Sequence, residues 1–349
     1  MRTVTKKPSW KHVTFNTPKI AFKEWANKGI KIKISKDEFV FKTEQELHAL
    51  YLSLNASFHG NDTCWSTVNE IKSISAKSKR KEQIQLLNGD IYDKEVLLNK
   101  MYDDSFYYGE LGKYALSSSS IKYLLDSPKS YARSLNFKSD SSAFKTGRLI
   151  HLAALEPEKL DSLCHIVEVQ SAVTKKFKDK VKEVGSAEFV YTRKEYDKAM
   201  YIVDALLQND IWQQLTRDAK LEQPSFDILH GYPFRAKADI LGTNYLADLK
   251  STNDLKAFPY AAKKYGYDVQ VYIYCSLFQI PYDSFFFFVI DKSTGDLGYY
   301  DVSKEFFESG KAKLEYALKV YETYFINKEQ ELNEYVIKGT LCLIQKILR

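Results

Sequence analysis

The stretch Arg235-Ala-Lys-Ala-Asp239-Ile-Leu-Gly-Thr-Asn-Tyr-Leu-Ala-Asp248-Leu-Lys250-Ser-Thr252 decides how this chain is read. Two strand-like runs flank the turn residues Gly242-Thr-Asn, so Asp239 falls at the end of one strand, and Asp248 and Lys250 fall on the next. Side chains alternate along a strand, which puts Asp248 and Lys250 on one face. Two carboxylates and an ammonium thus converge in strands where Asp and Lys are poor formers and are rarely buried without partners. Hydrolysis of a phosphodiester accounts for such a group. Magnesium is a hard cation that takes oxygen ligands and keeps room for water and phosphate. Once bound it polarises the phosphorus–oxygen bond and acidifies water, and a nearby lysine orients the nucleophile or offsets developing charge. Taken alone, the Asp-x-Lys tripeptide also fits an ordinary hairpin with a surface salt bridge.

Outward from this hairpin the chain alternates helices and strands. Before it, Ser117–Ser120 cap a helix through Leu125, Pro128 opens another, and 144–155 is a helix closed by Glu156-Pro157. Strand-like segments follow at 164–169 and 189–191, and Thr192 and Glu195 make a capping box for a helix carrying Tyr196, Met200, Val203 and Leu207. Strand candidates lie at 222–229, 232–240 and 245–250. After them come helices at 254–264 and 267–278, an apolar strand at 284–290, a strand at 298–302 and a long helix at 303–325. This pattern predicts an α/β sandwich around a mixed sheet.

With these motifs in order, the chain resembles the PD-(D/E)XK nuclease superfamily, and within it the branch of RecB-type nuclease domains, RecE-type exonucleases and phage exonucleases. Asp239 followed by Asp248-Leu-Lys250 matches the core signature. Gly147-Arg-Leu-Ile-His151 resembles the upstream helix whose His is a metal ligand. Gln270-Val-Tyr-Ile-Tyr274 resembles the motif on the helix after the Asp-x-Lys strand, and Ser117–Ser120 with Lys122 and Ser127-Pro128 resembles the opening helix. The resemblance covers residues 115–325 and implies a restriction-endonuclease-like mixed sheet flanked by helices. It implies Asp239, Asp248 and Lys250 as catalytic residues. The implied metal ligands are His151, Asp239, Asp248 and the Leu249 carbonyl, with Glu222 as a further carboxylate. Gln270, Tyr274, Ser118, Ser120 and Lys122 are the implied DNA contacts. Cys342 stands alone, which departs from relatives with an iron–sulfur staple, and no phosphate-binding loop of an ATP-driven motor is present.

Residues 1–100 hold 18 Lys+Arg against 11 Asp+Glu, while the rest of the chain holds 33 against 34. The basic excess is therefore N-terminal, and its densest cluster, Lys77, Lys79, Arg80 and Lys81, suits either a polyanion partner or a solvated face. Strands at 30–34 and 39–41, a capping box at Thr43 and Glu46, and helical spacing at Leu47, Leu50, Tyr51 and Leu54 read as a small mixed α+β unit. A further helix is expected over 68–87, ended by Asn88-Gly89-Asp90.

The chain has 349 residues, 44% hydrophobic and 28% charged, which excludes a disordered or collagen-like class. The longest apolar runs, such as 285–290, are far below the length of a membrane span, and residues 1–20 have no apolar signal core. Cys64, Cys164, Cys275 and Cys342 show no metal or disulfide spacing, which points to a reducing, cytoplasmic compartment. The expectation is therefore three segments: a basic accessory domain at 1–104, a nuclease domain at 105–326 and a helical tail at 327–349. The expected function is a magnesium- or manganese-dependent DNA exonuclease acting at DNA ends in phage-type recombination or degradation. DNA is the partner, with a single-strand annealing or recombination protein and a second copy of the chain as further candidates. An endonuclease of the same fold and a non-catalytic DNA-binding protein are the alternatives.

Overall fold

A computed structural model describes residues 82–136 and 145–336, together with the backbone of three strands nearer the N-terminus. The chain divides into two compact units, Met1–Glu82 and Gln83–Arg349. In the first, Ile30–Ile34 pairs in parallel with Arg2–Val4 and antiparallel with Asp37–Phe41. The expected capping box at Thr43, the helix after it and the cluster Lys77, Lys79, Arg80 and Lys81 lie outside the described residues.

The second unit is an α/β sandwich on a five-stranded mixed sheet. Its strands are β1 (Lys220–Leu229), β2 (Tyr232–Leu241), β3 (Leu246–Thr252), β4 (Phe285–Asp291) and β5 (Leu297–Asp301), in spatial order β5-β4-β3-β2-β1. Neighbours are antiparallel except β3 and β4, which run parallel because the chain leaves the sheet between them to form helices. The main helices are α1 (Ser118–Asp126), α2 (Lys145–Leu155), α3 (Arg193–Leu207), α4 (Tyr267–Phe278) and α5 (Lys304–Tyr321). Helices α2 and α3 cover one face of the sheet, and α1, α4 and α5 cover the other. Strand β4 shows why 285–290 is apolar throughout. Phe286, Phe288 and Ile290 pack toward α2 and α3, and Phe285, Phe287 and Val289 pack toward α4, so both alternating sets are buried. Helix α5 crosses α4 at Gly310, where a Cβ would lie 2.0 Å from the Asp268 carbonyl oxygen. Only glycine permits that approach.

The capping signals act as expected. Ser117 caps α1 in a capping box with Ser120, Ser127 caps the helix opened by Pro128, and Thr192 and Glu195 form the box that starts α3. Several helices have no counterpart in the sequence reading, among them Pro157–Leu163, Lys175–Val184 and Asp210–Thr216, and also Lys94–Lys100 and Leu111–Tyr114. The second of these is signalled by Thr174 as its N-cap and Gly185 in the left-handed conformation at its end.

The segment after Glu82 differs from expectation in two ways. Gln83–Gln85 is a strand rather than the end of a helix, paired with Ile91–Asp93 around a turn at Gly89 with φ of 90°. Residues 83–104 also belong to the second unit rather than to the basic one. Leu97 and Met101 are buried against Phe226 of β1, and Lys94 pairs with Asp227 at 3.0 Å. Beyond 326 the described residues hold one short 3-10 turn, Leu332–Glu334, and 337–349 lie outside them. Among the described residues, no helix is long and apolar enough to cross a membrane.

Candidate active site

Strands β2 and β3 pair only through Leu241 with Leu246 and Ile240 with Ala247, and then diverge. Asp239 and Asp248 are the next residues on each side, so both carboxylates stand at the fork. There the Leu249 N–H has no strand partner across the gap, and Asp239 Oδ2 accepts it at 2.8 Å. The acid thus serves as the missing ladder acceptor while its remaining lone pairs stay available.

Three further elements bring ligands to this fork. Helix α2 presents His151, whose Nε2 lies 3.1 Å from Asp239 Oδ2 and 3.6 Å from Glu222 Oε1. Glu222 enters through a break in the β1–β2 ladder. The flanking pairs are Leu221 with Ile240 and Gln223 with Ala238, and Glu222, opposite Asp239, has φ of 48°. A left-handed backbone on a non-glycine residue costs on the order of 1–3 kcal/mol, and such strain concentrates at functional positions. From α4, Gln270 donates its amide to Asp248 Oδ1, and Lys250 closes an ion pair with Asp248 Oδ2, as the one-face reading of Asp248 and Lys250 requires.

Charge is crowded here. Asp239, Asp248 and Gln270 are buried, with Asp248 only 1% exposed. Burial and the charge of Asp239 push the Glu222 carboxyl up to about 8, and the same two causes push Asp248 up to about 6. Burial opposes a charged His151, yet Asp239 with its hydrogen bond, Glu222 and Asp248 together outweigh it and carry the imidazole up to about 9. Burial likewise works against an ionised Asp239, but His151, Lys250 and the Leu249 N–H hold its carboxyl below the usual range. Three carboxylates, Glu222, Asp239 and Asp248, crowd one small space. His151, Glu222 and Asp239 each offer a ligand atom within 4.8 Å of one another, and Glu222 Oε1 is buried without a hydrogen bond. A donor set of carboxylate oxygens and one imidazole nitrogen fits a divalent cation.

The other expected residues are placed as follows. Tyr274 lies one turn beyond Gln270 on α4, partly buried, and its hydroxyl is pushed well up by burial and by the nearby Tyr107, Asp248 and Asp239. Lys122 on α1 places its ammonium 5.0 Å from the centre of the Tyr267 ring, which Lys250 also approaches at 4.9 Å. The Ser120 hydroxyl is engaged inside the helix cap with Ser117 at 3.2 Å, and Ser118 opens the same helix, half-buried.

Sequence reading passed over Lys237, Asp104 and Lys159. The buried Lys237 ammonium bonds Asp104 at 2.5 Å and lies 4.0 Å from Glu222, and Asp104 also holds Lys159 at 2.8 Å. Lys237 carried a signal, since it alternates with Asp239 along one strand; Asp104, 133 positions away, carried none.

A forked mixed sheet with acids at the split and an Asp-x-Lys strand between helical layers defines the PD-(D/E)XK-like nuclease fold. The chain belongs to the family described as PDDEXK-like domain of unknown function (DUF3799), whose model matches residues 117–333. No curated protein matches it. Among solved structures it is similar to a protein from Eubacterium rectale provisionally described as an exonuclease, with a TM-score of 0.47 and 16% identity over 69% of this chain and 95% of that one. It is also similar to SSO0001, with a TM-score of 0.30 and 11% identity over 65% of this chain and 84% of that one. Likenesses this distant carry no argument about activity.

Proposed function

We propose that this chain is a divalent-metal-dependent DNA nuclease acting from DNA ends, with magnesium or manganese as the metal. The observation that carries the reading is the convergence at one fork of His151, Glu222, Asp239 and Asp248 with the Lys250 ammonium. His151, Glu222, Asp239 and Asp248 would hold the cation, together with the Leu249 carbonyl. A cation there supplies charge to the phosphate as it becomes more negative and acidifies water. Lys250 orients the attacking water and offsets charge on the phosphate, and Gln270 keeps the Asp248 carboxylate aimed. Tyr274, Ser118, Ser120, Lys122 and the N-terminal cluster Lys77, Lys79, Arg80 and Lys81 serve the bound strand. A recombination or annealing protein is a fitting partner for an enzyme that resects ends.

The deciding experiment incubates end-labelled linear DNA and closed circular DNA with the full chain, each with magnesium and with chelator. Metal-dependent loss of the linear substrate alone is expected. Cleavage of the circle would make the enzyme an endonuclease, and chelator-resistant digestion or no digestion at all would remove the reading.

A further inference from the structure

A cavity of about 580 Å³ opens between α1 and the N-terminal end of α4, within the size range of ligand pockets. Lys122, Lys263, Lys264 and Lys313 line it, with Tyr265 and Gly266. Lys313 is neutralised, since its ammonium bonds the buried Asp268 at 2.6 Å. Lys122, Lys263 and Lys264 form no ion pair among the described residues, and the acid on the wall, Asp126, is engaged by the Ser130 hydroxyl. Burial and the charge of Lys250 push the Lys122 ammonium down to about 8, as expected of a cation that lacks a counterion.

The cavity adjoins the fork. A single ring, Tyr267, carries Lys122 on the cavity side and Lys250 of the Asp248 pair. Tyr265, 46% exposed, leans on Tyr267 with ring centres 6.1 Å apart, and Tyr260 on the preceding helix is 84% exposed. Unpaired ammonium groups beside exposed aromatic rings are the combination that binds a nucleic-acid backbone and stacks its bases.

We propose that this cavity binds a phosphate group of the nucleic-acid strand, next to the one being cleaved, with Lys122, Lys263 and Lys264 as its cations. The inference rests on the nuclease reading for the identity of the strand. The phosphate is either the terminal one at a strand end or an internal one, and the chemistry of the pocket is the same for both.

The test measures binding of linear duplexes across a salt series, in chelator so that no hydrolysis intervenes. It compares the full chain with Lys263→Ala/Lys264→Ala and with Lys122→Met, each shown to be folded. The slope of log affinity against log salt should become shallower by about 0.9 for each phosphate that the variant no longer neutralises. Equal slopes would overturn the proposal, as would an equal change in a control, Lys175→Ala/Lys176→Ala, on another surface helix. Duplexes with a 5′ phosphate, a 3′ phosphate or hydroxyl ends separate the two sources. A loss confined to one phosphorylated duplex identifies a terminal phosphate, and an equal loss on all three identifies an internal one. Absence of cleavage with any divalent metal, alongside the slope change, would remove the nuclease reading and leave the pocket standing. Normal cleavage with equal slopes would do the reverse.

Discussion

Asp239 accepts the Leu249 backbone N–H at 2.8 Å across the gap where β2 and β3 part. One carboxylate therefore closes the sheet at its fork and faces His151 at 3.1 Å. Asp239→Asn keeps an acceptor for Leu249 but removes the charge. DNA hydrolysis should fall by about a hundredfold or more, with the melting temperature little changed. Asp239→Ala should in addition lower stability, because an unpaired buried N–H costs about 1–3 kcal/mol. Turnover assays paired with thermal melts check both.

Gln270 acts through Asp248. Removing its amide in Gln270→Ala should lower metal affinity or activity by about 10–100-fold, the usual effect of losing a group that orients a ligand. Calorimetric titration with manganese reads the affinity, and partial recovery of activity at high manganese is expected. A variant with unchanged metal affinity would leave Gln270 without that role.

Glu222 holds a left-handed backbone and a buried oxygen without a hydrogen bond. Glu222→Gly relieves both, so its melting temperature should be no lower than that of the parent chain while metal-dependent hydrolysis drops by about tenfold or more. Loss of both stability and activity would mark Glu222 as structural.

The Lys122 ammonium, pushed down to about 8 by burial and by Lys250, makes stability depend on pH. Below about 8 both folded and unfolded chains carry the charge, and folding bears the full cost of burying it. Between about 8 and the ordinary lysine value of 10.5 the folded chain loses the proton first, so stability relative to neutral pH rises with pH and the cost is gone above that window. Lys122→Met should therefore raise the melting temperature near pH 7 by at least about 2 °C, with a gain that shrinks from pH 8 upward. Thermal melts across pH 7 to about 10 check the sign.

Local rules carried much of the fold. The capping residues Ser117 and Thr192, the helix start at Pro128, the hairpin turn after Leu241 and the double-sided apolar run of β4 all have short-range physical causes, and each stands where the spacing places it. What spacing did not show was attachment. Residues 83–104 fold with β1 because Leu97 and Met101 find Phe226 more than a hundred positions away, and no local pattern encodes that meeting.

The same division holds at the site. The chain order of His151, Asp239, Asp248, Lys250 and Gln270 is written in the sequence, together with the alternation that sets Asp248 beside Lys250, because these depend on residue type and strand period alone. Only the tertiary structure decided that β2 and β3 part at Asp239, that Glu222 takes a strained backbone to face His151, and that Lys237 reaches Asp104. Each of those is a meeting of distant segments, set by how the layers pack rather than by any neighbour along the chain.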